Sequence, residues 1–280
     1  MHSGGKTIQL NAGDYQAKIV TVGAGLAELT HHHRHIVIPH KPEEMPLAHL
    51  GKVLIPWPNR IANGCYQYNG EIFQLAINDP IGQTAIHGLL AWRDWHINHQ
   101  SENEVTLTIF LPPSYGYPFA LISEVTYRLD AKYGLHVFIG TRNVGKGTAP
   151  YGAGSHPYLT CNMQKIDECE LILPLSEAEF TEVDFSTPHV ISQTTIDHTF
   201  KTKSCSAEWE VIITSPKYNF STYLRSNQPW LQVYTGEKLS RRGLAVEPMT
   251  CPPDAFNSGI NLIYLAPGAS HQMHFLIGSK

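Results

Sequence analysis

At 280 residues, with 16% charged side chains and a formal net charge of −4, the chain can bury a large core without covalent staples and has no basic excess to attract nucleic acid or an anionic membrane. Its five cysteines, Cys65, Cys161, Cys169, Cys205 and Cys251, show no Cys-x-x-Cys spacing, which argues against a zinc knuckle or disulfide framework and for reduced thiols. No stretch approaches the roughly 18 apolar residues of a membrane span, and MHSGGKTIQLNAGDYQAK lacks the apolar core of a secretory leader, so a cytoplasmic location is expected.

In chain order, HHHRH (31–35) comes first. His31, His33 and His35 would share a strand face, but metal sites draw ligands from several segments, so the run reads as a hairpin end. PWPNRIANGCYQYNG (56–70) brackets Trp57 between prolines, which stiffens the chain ahead of Asn59 and Arg60. An amide and a planar guanidinium suit a ligand bearing hydroxyls, or satisfy loop carbonyls. In AIHGLLAWRDWHI (85–97), Gly88 lets the chain turn after His87. Trp92 and Trp95 read as core residues, although indole faces also stack on sugars.

From residue 104 onward the pattern is period 2. EVTLTIF, LISEVTYRL, GLHVFIG, EWEVIIT, NFSTYL, WLQVY, GLAVE, NLIYL and HQMHFLI read as strands separated by turn residues. Between them, GAGSHPYL (152–159) sets His156 after small residues that leave space beside it and before Pro157, which fixes the chain direction. A histidine there is either a packed imidazole or a proton donor. The stretch 175–200 is polar and reads as long loops with short strands; within it Asp197 either binds hydroxyls or caps a turn. Gln232 and Tyr234 share one face of WLQVY, opposite Leu231 and Val233. Glu247 ends an apolar strand and Pro248 follows; a carboxylate so placed is either an ordinary strand-end residue or a desolvated general base.

Short strands with frequent turns and no helix of three turns predict an all-β fold, a large antiparallel sandwich, as a single domain over 1–280. The chain has no P-loop, dinucleotide fingerprint or nucleophile elbow.

Six segments in this order, PWPNRIANGCYQYNG, AIHGLLAWRDW, SHPYL, IDHTF, LQVYTG and EPMTCPPDAFN, resemble the aldose 1-epimerase (galactose mutarotase-like) family, in its shorter, bacterial-type form. The resemblance spans about Thr7 to Ile277 and implies a galactose mutarotase-like β-supersandwich. It implies His156 as catalytic acid and Glu247 as base, with Asn59, Arg60, His87, Asp197 and Gln232 as sugar ligands. The activity implied is interconversion of α and β anomers of a free aldose by ring opening, with no cofactor and no metal. Two alternatives stand beside it. A hexose-6-phosphate 1-epimerase would need rim cations, with Arg93, Arg241 and Arg242 as candidates. A carbohydrate-binding protein without turnover would not need an acid–base pair. The expected partner is a small sugar, with no nucleic acid and no membrane. The mechanism expects the pair to start in complementary states, Glu247 ionised and His156 protonated.

Overall fold

A computed structural model describes residues 2–174, 185–202 and 208–280. Cys205 and the start of the expected 175–200 loop lie outside these residues. The ladders between named strands are antiparallel throughout. The largest sheet has nine strands, in the order His96–Gln100, Glu104–Leu111, Leu121–Asp130, Gly134–Asn143, Ser270–Ser279, Phe220–Ser226, Trp209–Ser215, Glu170–Ile172 and His189–Val190. Every strand expected from period-2 alternation is present.

The alternation builds this sheet directly. Leu121, Val125, Tyr127 and Leu129 are buried while Ile122, Glu124 and Arg128 face out. Each inward position meets another across the ladder, Val125 opposite Ile139 and Tyr127 opposite Val137. Asp130 closes the hairpin, its Oδ1 accepting the backbone N–H groups of Lys132 and Tyr133 at 2.8 Å. That is the local bonding by which Asp favours turns.

A six-stranded sheet packs against it. Asp197–Lys201, Trp230–Tyr234, Leu244–Met249, Gly154–Ser155 and Val53–Leu54 lie side by side, and Tyr158–Leu159 also pairs with Leu244–Met249. Leu231, Val233, Leu244 and Val246 enter the same core as Leu107, Val125, Ile139 and Ile277, so the two sheets form a sandwich. The opposite face of the smaller sheet carries Gln232, Tyr234 and Glu247. A third, N-terminal sheet (Thr7–Ala12, Tyr15–Val20, Gly25–His31, Arg34–His35) was not expected. His32 and His33 sit at positive φ in its last turn, so HHHRH is a hairpin end. Trp95 is buried at 2% exposure, but Trp92 is 39% exposed, so the core reading holds for one indole and not the other.

Helix is confined, among the described residues, to Ala255–Ser258 and two 3-10 turns, and no helix is long and apolar enough to cross a membrane.

Candidate active site

The outer face of the smaller sheet is walled by loops into a cleft of about 220 Å3. Its lining includes all seven residues singled out by the sequence: Asn59, Arg60, His87, His156, Asp197, Gln232 and Glu247.

Register brings the two ionisable groups together. Gly154 pairs with Met249 and Tyr158 with Ala245, so the interrupted strand between them carries His156 opposite Glu247. Pro157 has no N–H, but its carbonyl accepts from the Val246 amide at 3.1 Å, which keeps the ladder in step. His156 Nε2 lies 3.3 Å from Glu247 Oε1, both side chains buried. The small residues before His156 serve a different end from the one expected. A Cβ on Gly154 would meet Pro58 at 3.0 Å, and one on Gly152 would meet Cys251 Sγ at 2.5 Å. The missing side chains admit the Pro58 loop rather than open space beside the imidazole. Glu247 is also not a strand end, since Leu244–Met249 runs through Pro248.

On the neighbouring strand Gln232 sits opposite Glu247, and Thr199 sits opposite Gln232 on the next. Gln232 Nε2 donates to Asp197 Oδ1 at 2.7 Å. Its Oε1 accepts from Asn59 Nδ2 at 3.3 Å and from the Thr199 hydroxyl. Asp197 therefore opens a sheet strand, Asp197–Lys201, rather than sitting in a loop. Asn59 takes a left-handed backbone, φ 54°, which asparagine tolerates better than most residues. That geometry aims its N–H at His87 Nδ1 (3.3 Å) while its carbonyl accepts the His87 amide (2.9 Å). Gly88 completes the turn; a Cβ there would lie 2.1 Å from the Ile55 carbonyl oxygen. Arg60 Nη1 donates to Asn59 Oδ1 at 3.3 Å, and its Nε lies 3.5 Å from Asp79 Oδ2. Among the described residues, neither the Asn59 side-chain amide nor the Arg60 guanidinium is spent on a loop carbonyl.

Burial sets the charge states. It pushes Glu247 well above the usual carboxylate range; Asp197 adds to the rise and Arg60 opposes it. It pushes His156 down to about 3, assisted by His49. The same cause takes His87 well below its ordinary value. Burial thus favours a neutral pair with its proton on the carboxyl, and works against the ionised Glu247 and protonated His156 that the mechanism expects. The two forms differ by one proton moved across a 3.3 Å contact. Glu247 Oε2 has no hydrogen-bond partner among the described residues, and His156 Nδ1 none beyond its own residue.

His87, His156 and Glu247 offer ligand atoms within 4.8 Å of one another, a composition that could hold a metal ion. The tautomer of His87 opposes this. Its Nδ1 accepts an amide proton, so the ring carries its own proton on Nε2, and that nitrogen is a donor rather than a free lone pair.

The cleft also contains His49, Tyr158 and Lys238, none of which the sequence singled out. Tyr158 lay inside the quoted SHPYL segment and stacks on His156, ring centroids 5.0 Å apart. His49 and Lys238 carry no motif. Arg93, Arg241 and Arg242 do not line the cleft; Arg241 is bound to Asp167 and Glu237.

Comparison with known proteins shows the family and the fold. The family model described as aldose 1-epimerase matches residues 6–278. Uncharacterized protein YihR of Escherichia coli is 56% identical over 99% of this chain and 94% of its own length. Aldose 1-epimerase of Haemophilus influenzae is 25% identical, over 74% of this chain and 70% of its own. Among solved structures, the GalM/aldose epimerase homologue from C. elegans superposes with a TM-score of 0.86 at 17% identity, covering 98% of both chains. Galactose 1-epimerase from Lactobacillus acidophilus gives 0.81 at 19%, covering 98% of this chain and 94% of its own. These structures share the galactose mutarotase-like β-sandwich.

Proposed function

The chain belongs to the aldose 1-epimerase family, and on that premise we propose that it interconverts the α and β anomers of an aldose through ring opening. The observation that carries this reading is the contact of His156 with Glu247 at 3.3 Å, in a cleft otherwise lined by groups that bind hydroxyls. The anomeric hydroxyl and the ring oxygen are bonded to the same carbon. An acid and a base that serve both must be immediate neighbours, as these two side chains are.

In this mechanism Glu247 takes the proton of the anomeric hydroxyl while His156 gives one to the ring oxygen. The C1–O5 bond breaks to leave an aldehyde. Rotation about C1–C2 presents the other carbonyl face, and the steps reverse. Proton count is conserved: the pair is ionic with the closed sugar and neutral with the open one. The neutral form is the one burial favours, so the environment that disfavours the starting charges stabilises the ring-opened stage. His87, with its proton on Nε2, donates to a sugar oxygen, and Arg60 steadies developing negative charge. The Asn59–Gln232–Asp197 network holds hydroxyls in a fixed array. A cytoplasmic site of action belongs to the same reading.

Polarimetry on freshly dissolved α-glucose and α-galactose, with NMR exchange over a wider sugar panel, tests the proposal. Acceleration of anomer exchange by the wild type, lost in Glu247→Gln and His156→Asn, is the expected result. Sugar binding without acceleration would make the protein a carbohydrate-binding module.

One observation favours a second reading, a sugar bearing an anionic group such as a phosphate or sulfonate. Lys238 lines the cleft, and among the described residues no carboxylate pairs with its ammonium. In that case Lys238→Met would weaken exchange of the charged sugar and spare that of glucose.

A further inference from the structure

His49 is a cleft residue for which neither the motifs nor the acid–base chemistry has a use. Its ring lies 4.6 Å from that of His87, edge to face, and 6.3 Å from that of His156 in a near-parallel arrangement. Trp92 backs it at 5.4 Å. Trp92 in turn lies over the buried Lys52 ammonium, 5.2 Å from the ring centroid, and that ammonium donates to the Val22 carbonyl at 2.6 Å.

The backbone is equally constrained. The Lys52 amide donates to the His49 carbonyl at 2.9 Å, closing a turn. Gly51 and Lys52 then exchange backbone bonds with His156: Gly51 N–H to the His156 carbonyl at 2.9 Å, and His156 N–H to the Lys52 carbonyl at 3.0 Å. His49 is thereby held at a set distance from His156. Yet among the described residues nothing hydrogen-bonds its ring nitrogens, although the side chain lines the cleft. Burial pushes it down to about 4, with Lys238 and Lys52 adding to the fall. At neutral pH the ring therefore offers one donor and one acceptor, the complement of a hydroxyl.

We propose that His49 is a substrate-contacting residue that hydrogen-bonds one ring hydroxyl of the aldose and so helps set which sugars the cleft accepts. This rests on the anomer-exchange reading above. A packing role would need only the ring; the contact role needs its nitrogens.

The test compares His49→Phe, which keeps a ring against Trp92 and His87, with His49→Asn, which keeps a donor and an acceptor and suits the left-handed backbone at φ 52°. NMR exchange gives kcat and KM over a set of monodeoxy aldoses, and saturation-transfer difference measures sugar binding separately. For His49→Phe, KM should rise about five- to tenfold, the worth of one lost hydrogen bond, with kcat nearly unchanged. That rise should vanish for the one deoxy sugar lacking the contacted hydroxyl, and His49→Asn should keep part of the affinity. The proposal is overturned if His49→Phe matches wild type on every sugar, or if both variants lose equally on every sugar. If the wild type exchanges no anomers, the reaction reading fails while the binding arm still decides: a hydroxyl-selective loss in His49→Phe supports the contact, and an unchanged profile overturns it.

Discussion

Two ladders of the sandwich have the same backbone geometry and opposite contents. In Leu121–Asp130 against Gly134–Asn143, the buried cross-strand pairs are Val125 with Ile139 and Tyr127 with Val137. In Trp230–Tyr234 against Leu244–Met249, one row is equally apolar, Val233 with Val246, but the other sets Gln232 opposite Glu247. Both members of that polar pair are buried, at 4% and 2% exposure. In the first ladder burial contributes stability. In the second it raises the energy of a charge where chemistry needs one, and neighbouring donors only partly offset this.

The sharpest way to break the comparison is to neutralise the second ladder. Glu247→Gln and His156→Asn should each lower kcat by about 10²–10⁴-fold, the usual worth of a positioned acid or base, with thermal unfolding showing the fold retained. Because Glu247 lies above its ordinary value when folded, its contribution to stability is present at acid pH and lost as pH rises through the folded value. Glu247→Gln removes that decline, so urea titrations of the variant should show greater stability than wild type on the alkaline side.

The converse change tests the first ladder. Leu129→Ala should cost about 2–5 kcal/mol of unfolding free energy, read by denaturant titration, while kcat per folded molecule stays at the wild-type value. Equal loss of kcat would mean that the two faces of the sandwich are coupled.

An effect of pH comes next. His49, His87 and His156 all lie below their ordinary value of 6.5 when folded. The unfolded chain therefore binds more protons below that pH. Stability from these groups is present above 6.5 and falls as pH drops towards 4, where His49 starts to protonate in the fold. Urea midpoints between pH 7 and 4 should fall steeply, and less steeply in His49→Asn. The smallest effect belongs to Thr199→Val. It removes one donor to Gln232 and should raise KM several-fold, about 1 kcal/mol, with little change in kcat.

The apolar ladder is legible in the sequence because one face is buried and the other is not, so LISEVTYRL alternates in plain view. In the N-terminal sheet Thr7–Ala12 and Tyr15–Val20 alternate too and were overlooked, but Gly25–His31 was not legible, for the opposite reason. Gly25–His31 is buried at five of seven positions, and a strand covered on both faces loses its alternation. Convergence of Asn59, His87, His156, Gln232 and Glu247 on one cleft could not come from spacing, since each lies on a separate segment; the ordered family segments implied it. Trp92 was misread because tryptophan is usually largely buried, and here its ring supports a cleft wall. Residue types reveal which groups can ionise but not how completely water is excluded from them, so the pull of burial on the Glu247–His156 proton was not legible.

The register that sets His156 against Glu247 has a consequence for how such chains can change. Side chains alternate sides along a strand, so one residue inserted or deleted between Gly154 and Tyr158 would swing the imidazole into the hydrophobic interior. Drift in length is tolerable only in the connections beyond this short stretch. New sugar preferences should therefore arise by reshaping those outlying connections, while the spacing from 154 to 158 stays invariant.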